Sequence, residues 1–240
     1  MSERISPETI QKVRHGAEEI LGTDNSGHGM DHVERVYRLA MGFVDELPDA
    51  QRDVVALGVL LHDVDDYKLV GKEKAEQLGN ATKIMEAAGV DFEIQEAVRE
   101  MIATMGYSKS LKGVRPTTLE GTILSDADMC DALGASGTIR CLQYAVSDKG
   151  SGIVFDPEIW PNVDITAGQY TGGKTTHDTD SFVNHHFEKL LKLPGMMLTE
   201  PGKREAVKRG EIMVKFLRAY FEEQNVPDWN EFLDKYLASR

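Results

Sequence analysis

Val54-Val55-Ala56-Leu57-Gly58-Val59-Leu60-Leu61-His62-Asp63-Val64-Asp65-Asp66 decides the reading of this chain. Residues 50–64 are apolar on most faces, which predicts a central buried helix. That helix ends in an imidazole and three carboxylates within five residues. Burying charges without partners is strongly unfavourable, and coordinating a metal is one of the few remedies. The cluster therefore marks the place to look for chemistry.

Outward from this stretch the period stays helical. Residues 7–21 open with Ser6-Pro7-Glu8, a cap with proline in the first turn, and carry Ile10, Val13, Ala17 and Ile20 on one face. Residues 31–46 repeat the pattern with Val33, Val36, Tyr37, Ala40, Phe43 and Val44. Further helices are predicted over 72–88, 91–105, 118–134, 181–193, 200–224 and 228–238, with Gly71, Gly89 and Pro116 as punctuation. No region of period two stands out. The expected fold is all-α, a compact bundle of about eight to ten helices in one domain over 1–240. Residues 148–180, with Gly150, Gly152, Pro157, Pro161, Gly168, Gly172 and Gly173, read as a long loop insertion.

Composition narrows the partners. The net charge of -13, from 40 acidic and 27 basic residues, repels phosphate backbones and anionic lipid. Duplex nucleic acid and membrane surfaces are poor candidates, but a small anionic substrate is not, because a divalent cation reverses the local field. Cys130 and Cys141 give no disulfide framework, which points to a reducing cytoplasm. The start, Met1-Ser2-Glu3-Arg4-Ile5-Ser6-Pro7, lacks an apolar signal stretch, and no run of about 18 apolar residues predicts a membrane span.

On a continuous helix, His62 and Asp66 stand four apart and Asp63 and Asp66 three apart, so Asp66 lies near both. His62 and Asp63 are about 100° apart and reach one ion only from the side. Further ligands must come from elsewhere. His32, in Gly29-Met30-Asp31-His32-Val33-Glu34-Arg35-Val36, is one candidate. Asp128, in Ser125-Asp126-Ala127-Asp128-Met129-Cys130-Asp131-Ala132-Leu133, is another.

The order His … His-Asp … Asp resembles the HD superfamily of metal-dependent phosphohydrolases, in its bacterial single-domain branch. The blocks that carry the likeness are Asp31-His32-x-x-Arg35-Val36, Leu60-Leu61-His62-Asp63-x-x-Asp66, Asp126-Ala127-Asp128-x-x-Asp131-Ala132-x-Gly134-Ala135 and His186-Phe187-Glu188-Lys189-Leu190-Leu191-x-Leu193. The last is followed by Met197, Thr199 and a long helix, so the likeness covers residues 25–224. It implies a metal core over 25–140, with C-terminal helices 181–238 packing on it. It also implies that His32, His62, Asp63 and Asp128 ligate one divalent cation, with Mn, Mg, Fe, Zn and Ni all compatible with the donor set. Such an ion lowers the pKa of a bound water and polarises a phosphoryl oxygen. Asp66 matches the family position beside the metal and is the expected proton acceptor or water-orienting group. Asp65, turned about 100° away, is the weaker candidate. No histidine lies between His62 and His177, which argues for a mononuclear site.

The implied function is hydrolysis of a phosphoester or phosphoanhydride in a nucleotide, with a nucleoside triphosphate cleaved to monophosphate and pyrophosphate as the leading form. A cyclic-nucleotide or other phosphodiesterase and a non-catalytic nucleotide or metal sensor stay open, as do monomer and homodimer. Substrate-binding candidates are His28, four residues before His32; Arg35, which has Asp31 and Glu34 as alternative structural partners; Lys68; Arg140; and His186 with Lys189, which share a helix face. His15 and His185 read as surface residues, while Tyr107 and Ser108 suit either the pocket mouth or packing. Gly168-Gln169-Tyr170-Thr171-Gly172-Gly173-Lys174-Thr175 matches G-x-x-x-x-G-K-[ST]. It lacks the preceding buried strand and the immediately following helix that a phosphate loop needs, and reads as a surface insertion or a lid.

Overall fold

The structure, a computed structural model, describes residues 5–22, 29–148, 150–164 and 181–240, with the backbone alone for Lys68 and Lys72. Every regular element among the described residues is helical, so the all-α expectation holds. The helices are α1 (Pro7–Leu21), α2 (Met30–Glu46), α3 (Arg52–Leu61), α4 (Tyr67–Val70), α5 (Lys72–Ala75), α6 (Gly79–Ala88), α7 (Phe92–Thr104), α8 (Tyr107–Ser110), α9 (Leu119–Asp131), α10 (Gly134–Ala145), α11 (Phe182–Glu188), α12 (Glu200–Glu223) and α13 (Pro227–Ala238). A 3-10 helix, Leu190–Met196, follows α11. Where the sequence reads as one domain, the contacts group the chain into two compact units. No described helix is long and apolar enough to cross a membrane.

The first unit holds the residues up to Asp131 together with Leu198–Gly202. At its centre, α3 packs against α1, α2, α7 and α9, and every residue of α3 after Arg52 is buried. Gly58 allows that approach: a Cβ there would stand 2.6 Å from Met101 Cε and 3.3 Å from Leu124 Cδ2. Ser6 caps α1 by accepting the Thr9 N–H at 3.1 Å, with Pro7 in the first turn, as the sequence predicts. The Gln51 N–H at the start of α3 donates to Glu120 on α9 at 2.8 Å, and Asp53 accepts from the Ile5 N–H at 3.0 Å.

The second unit holds Ala132–Met197 and Lys203–Arg240. Its core is aromatic. Phe155, Phe187, Phe221 and Trp229 pack together, and Trp160 stacks on Trp229 with ring centroids 4.5 Å apart and planes 6° from parallel. The Trp229 indole N–H donates to the Pro157 carbonyl, and the Tyr236 hydroxyl donates to that of Phe187. Thus the described part of the predicted insertion, 150–164, is irregular backbone fastened by its own aromatic side chains. The segment 165–180, including Gly168–Thr175, lies outside the described residues.

Several elements differ from the sequence reading. The predicted helix 72–88 is broken between α5 and α6, where Leu78 takes a left-handed φ of 51°. The segment 181–193 is α-helical only to Glu188 and then tightens into the 3-10 turn containing Pro194, which cannot donate to a helix ladder. Helix α10 has no counterpart in the sequence reading; its Ile139, Leu142 and Tyr144 are exposed while Gly134 and Gly137 are buried.

Candidate metal centre

The centre lies in the first unit, where α2, the end of α3 and α9 meet. His32 sits in the first turn of α2 and is 1% exposed. His62 and Asp63 do not lie on the helix expected to run to residue 64. That helix stops at Leu61, and residues 62–65 form a turn closed by Val64 N–H to Leu61 and Asp66 N–H to Asp63. The physical reason is the His62 side chain. Its Nδ1 donates to the Val59 carbonyl at 2.7 Å, taking the acceptor that another helical turn needs.

The four expected ligands converge. His32 Nε2 lies 3.1 Å from His62 Nε2 and 3.4 Å from both Asp63 Oδ2 and Asp128 Oδ1. His62 Nε2 lies 3.5 Å from Asp63 Oδ2 and 3.9 Å from Asp128 Oδ1. On the far side of each ring the proton is committed: His32 Nδ1 donates to Asp131 Oδ2 at 2.7 Å, and His62 Nδ1 to Val59. A neutral imidazole carries one N–H, so both Nε2 atoms present lone pairs to each other and to two carboxylate oxygens. With both rings neutral and protonated at Nδ1, these lone pairs and carboxylate oxygens face one region, an arrangement that a cation among them stabilises. Ligand-to-metal distances of about 2.0–2.2 Å put adjacent ligand atoms about 3 Å apart and opposite ones about 4 Å apart, which matches the spacings among His32, His62 and Asp63, while Asp128 approaches the two imidazoles but stands outside that three-residue cluster. The residues present therefore fit a bound divalent cation, and His32, His62 and Asp63 satisfy that geometry as a buried cluster.

The other carboxylates of the same blocks hold the frame. Asp65 accepts from the N–H groups of Asn80 and Ala81 at 3.0 and 2.8 Å, capping the start of α6. Asp126, fully buried, accepts from the Leu198 and Thr199 N–H groups and the Thr199 hydroxyl ahead of α12. Asp131 grips His32 and Arg35 together. Sequence reasoning gave Asp126 and Asp131 no role. The only signal was their spacing from Asp128, which does not say what each one faces.

The substrate candidates fare differently. Arg35 is corrected: its Nε and Nη2 bind Asp131 at 2.8 and 3.2 Å and its Nη1 binds Asp31 at 2.8 Å, so the guanidinium is committed within the protein. His186 is corrected as well. It is fully buried between Phe182 and Phe216, donates Nδ1–H to the Phe182 carbonyl, and has its pKa lowered by desolvation to about 4. A neutral core histidine does not supply charge to a phosphate. Asp66 is half-buried between the turn and α4. Arg140 on α10 and Lys189 at the end of α11 are half-buried in the second unit. His28 and the Lys68 side chain lie outside the described residues. His15 is exposed beside Glu19, His185 is half-buried, and Tyr107 is buried while Ser108 is half-buried.

The HD domain family model matches residues 29–133, the span that holds His32, His62, Asp63 and Asp128. YpgQ of Bacillus subtilis (strain 168) is 28% identical over 218 residues, which is 90% of this chain and 93% of that protein. Its structure in complex with ADP superposes with a TM-score of 0.65 at 23% identity, over 90% of this chain and 94% of that one. A solved protein from Lactobacillus plantarum is 31% identical with a TM-score of 0.76, covering 92% of this chain and 98% of its own. An HD-superfamily hydrolase from Bacillus thuringiensis is 29% identical with a TM-score of 0.68, covering 91% and 97%.

Proposed function

The chain belongs to the HD superfamily, and from that premise we propose that it is a metal-dependent phosphohydrolase acting on a nucleotide. The observation that carries this reading is the convergence of two imidazole Nε2 atoms and two carboxylate oxygens whose neighbouring protons are all committed elsewhere. His32, His62, Asp63 and Asp128 would hold one cation from the set Mn, Mg, Fe, Zn and Ni. When bound, it supplies charge neutralisation and Lewis acidity toward a phosphoryl oxygen.

The chain's own residues do the rest. The Val59 carbonyl and Asp131 orient the two imidazoles before substrate arrives, so little reorganisation is needed at the moment of reaction. Asp66 is assigned the proton of the attacking water, on its position just after the turn, three residues past Asp63. The ADP held by YpgQ supports a nucleotide as substrate. With a net charge of -13, attraction of a polyanion falls to the cation and to local basic groups. Arg140, Lys189, Lys68 and His28 stay candidates for that work, and Arg35 and His186 drop out. Cleavage of a nucleoside triphosphate to monophosphate and pyrophosphate is the leading form.

The test is a nucleotide panel with Mn, Mg, Co and Ni, reading phosphate and pyrophosphate separately. Metal-dependent turnover that Asp63→Ala abolishes supports the proposal. Cleavage of bis(p-nitrophenyl) phosphate with triphosphates left intact reassigns the protein as a phosphodiesterase. Nucleotide binding without turnover makes it a sensor. Full turnover by Asp63→Ala with Mn present contradicts the site.

A further inference from the structure

We propose that Arg35 and Asp131 form a positioning relay that fixes the tautomer of His32 and so sets how tightly the centre holds its cation; this rests on the metal-centre reading above. Asp131 is the last residue of α9 and is fully buried. That is the worst place for a carboxylate, out of water and at the negative end of a helix dipole. It is tolerated because Arg35 meets it with a two-point fork, Nε to Oδ1 at 2.8 Å and Nη2 to Oδ2 at 3.2 Å. Arg35 stands three residues after His32 on α2 and is steadied on its other side by Asp31. Asp31, Arg35, Asp131 and His32 thus form one connected chain of charge-assisted hydrogen bonds.

The consequence for His32 follows from a contest over one proton. On the Nε2 side, Asp63 Oδ2 and Asp128 Oδ1 both lie 3.4 Å away. Either would accept an Nε2–H, and that tautomer cannot ligate at Nε2. On the Nδ1 side, Asp131 Oδ2 lies 2.7 Å away. The closer carboxylate keeps the proton on Nδ1 and leaves the Nε2 lone pair aimed at the centre. Arg35 keeps that carboxylate facing the ring, because the fork fixes both of its oxygens. Arg35 is therefore a positioning residue that acts through Asp131 and His32, and Arg35 and Asp131 need not touch substrate.

The test uses two readouts on the full chain. The first is the histidine ring nitrogen spectrum of the 15N-labelled, metal-free protein at pH 8. His32 is expected as the Nδ1–H tautomer in the wild type and as a mixture with Nε2–H in Asp131→Asn. The second is calorimetric titration with MnCl2, where Asp131→Asn is expected to weaken binding by about 10- to 100-fold. Arg35→Lys, which keeps the charge and loses the fork, is expected to fall between that variant and the wild type. Asp126→Asn is the control for a merely structural carboxylate on the same helix, with stability lowered and Mn affinity kept within about twofold. A folded Asp131→Asn that keeps the Nδ1–H tautomer, or binds Mn within about twofold of wild type, overturns the relay. If Asp131→Asn does not fold, unchanged tautomer and affinity in Arg35→Lys overturn it instead. A wild type that titrates no Mn sinks the metal-centre reading, and the tautomer spectrum still decides the relay.

Discussion

Replacing Asp126 by asparagine removes a charge from a buried, multiply bonded carboxylate of the first unit while keeping its shape. Asp126 Oδ2 accepts from the Thr199 N–H and hydroxyl, both at 2.7 Å, and from the Leu198 N–H at 3.1 Å, while Oδ1 lies 3.0 Å from that same Leu198 N–H. The site has no slack, because Gly202 abuts the carboxylate and any Cβ there would collide with it. In Asp126→Asn one acceptor becomes an NH2 that must face an N–H or O–H donor. With the amide oxygen in the Oδ2 place all three donors keep an acceptor, but the NH2 then faces the Leu198 N–H about 3.0 Å away, a donor-to-donor contact that costs about 1–3 kcal/mol. The surviving bonds fall from charge-assisted to neutral strength, a further loss of roughly 1 kcal/mol. The expected total is about 3 kcal/mol, read in urea unfolding followed by circular dichroism as a midpoint lower by about 1 M or more. A loss under about 1 kcal/mol would refute the claim that this carboxylate fastens Leu198 and Thr199 to α9.

Two further outcomes test the second unit. His186 is kept neutral by burial, with its pKa lowered to about 4, while the unfolded chain takes up that proton near 6.5. Between those values only the unfolded state gains the proton, so stability is full above about pH 6.5 and falls by about 3 kcal/mol as pH drops toward 4. His186→Phe should flatten that slope in urea midpoints measured from pH 7 to 4.5, and an unchanged slope would locate the effect elsewhere. Trp229→Ala removes the ring on which Trp160 stacks and the donor to Pro157. A loss of about 3–5 kcal/mol is expected, together with new proteolytic cleavage within residues 150–164.

Most of the first unit was legible because its signals are local. Ser6-Pro7 marks the start of α1, periodic apolar residues mark α2 and α7, and the unbroken run marks α3 as central. The candidate ligands were legible as an ordered set, because a histidine and a carboxylate ending a buried run is an energetic anomaly at the level of sequence. The rest depended on partners distant in the chain. No local signal stops α3 at Leu61, where the stop comes from an imidazole capturing a carbonyl. Nothing in Asp126, Asp128 and Asp131 tells apart a clasp for Leu198 and Thr199, a candidate ligand and a clamp on His32, since the three differ only in what other helices bring to them. The sequence offers Arg35 both a substrate phosphate and nearby carboxylates, and the carboxylate that binds it, Asp131, lies 96 residues on.

The central claim is that His32, His62, Asp63 and Asp128 hold a single divalent cation. Crystals of the protein soaked in MnCl2 and measured at the manganese absorption edge test it most directly. The account predicts one anomalous peak per chain, within about 2.3 Å of His32 Nε2, His62 Nε2 and one oxygen each of Asp63 and Asp128. No peak among those four atoms, or two peaks there, would contradict it.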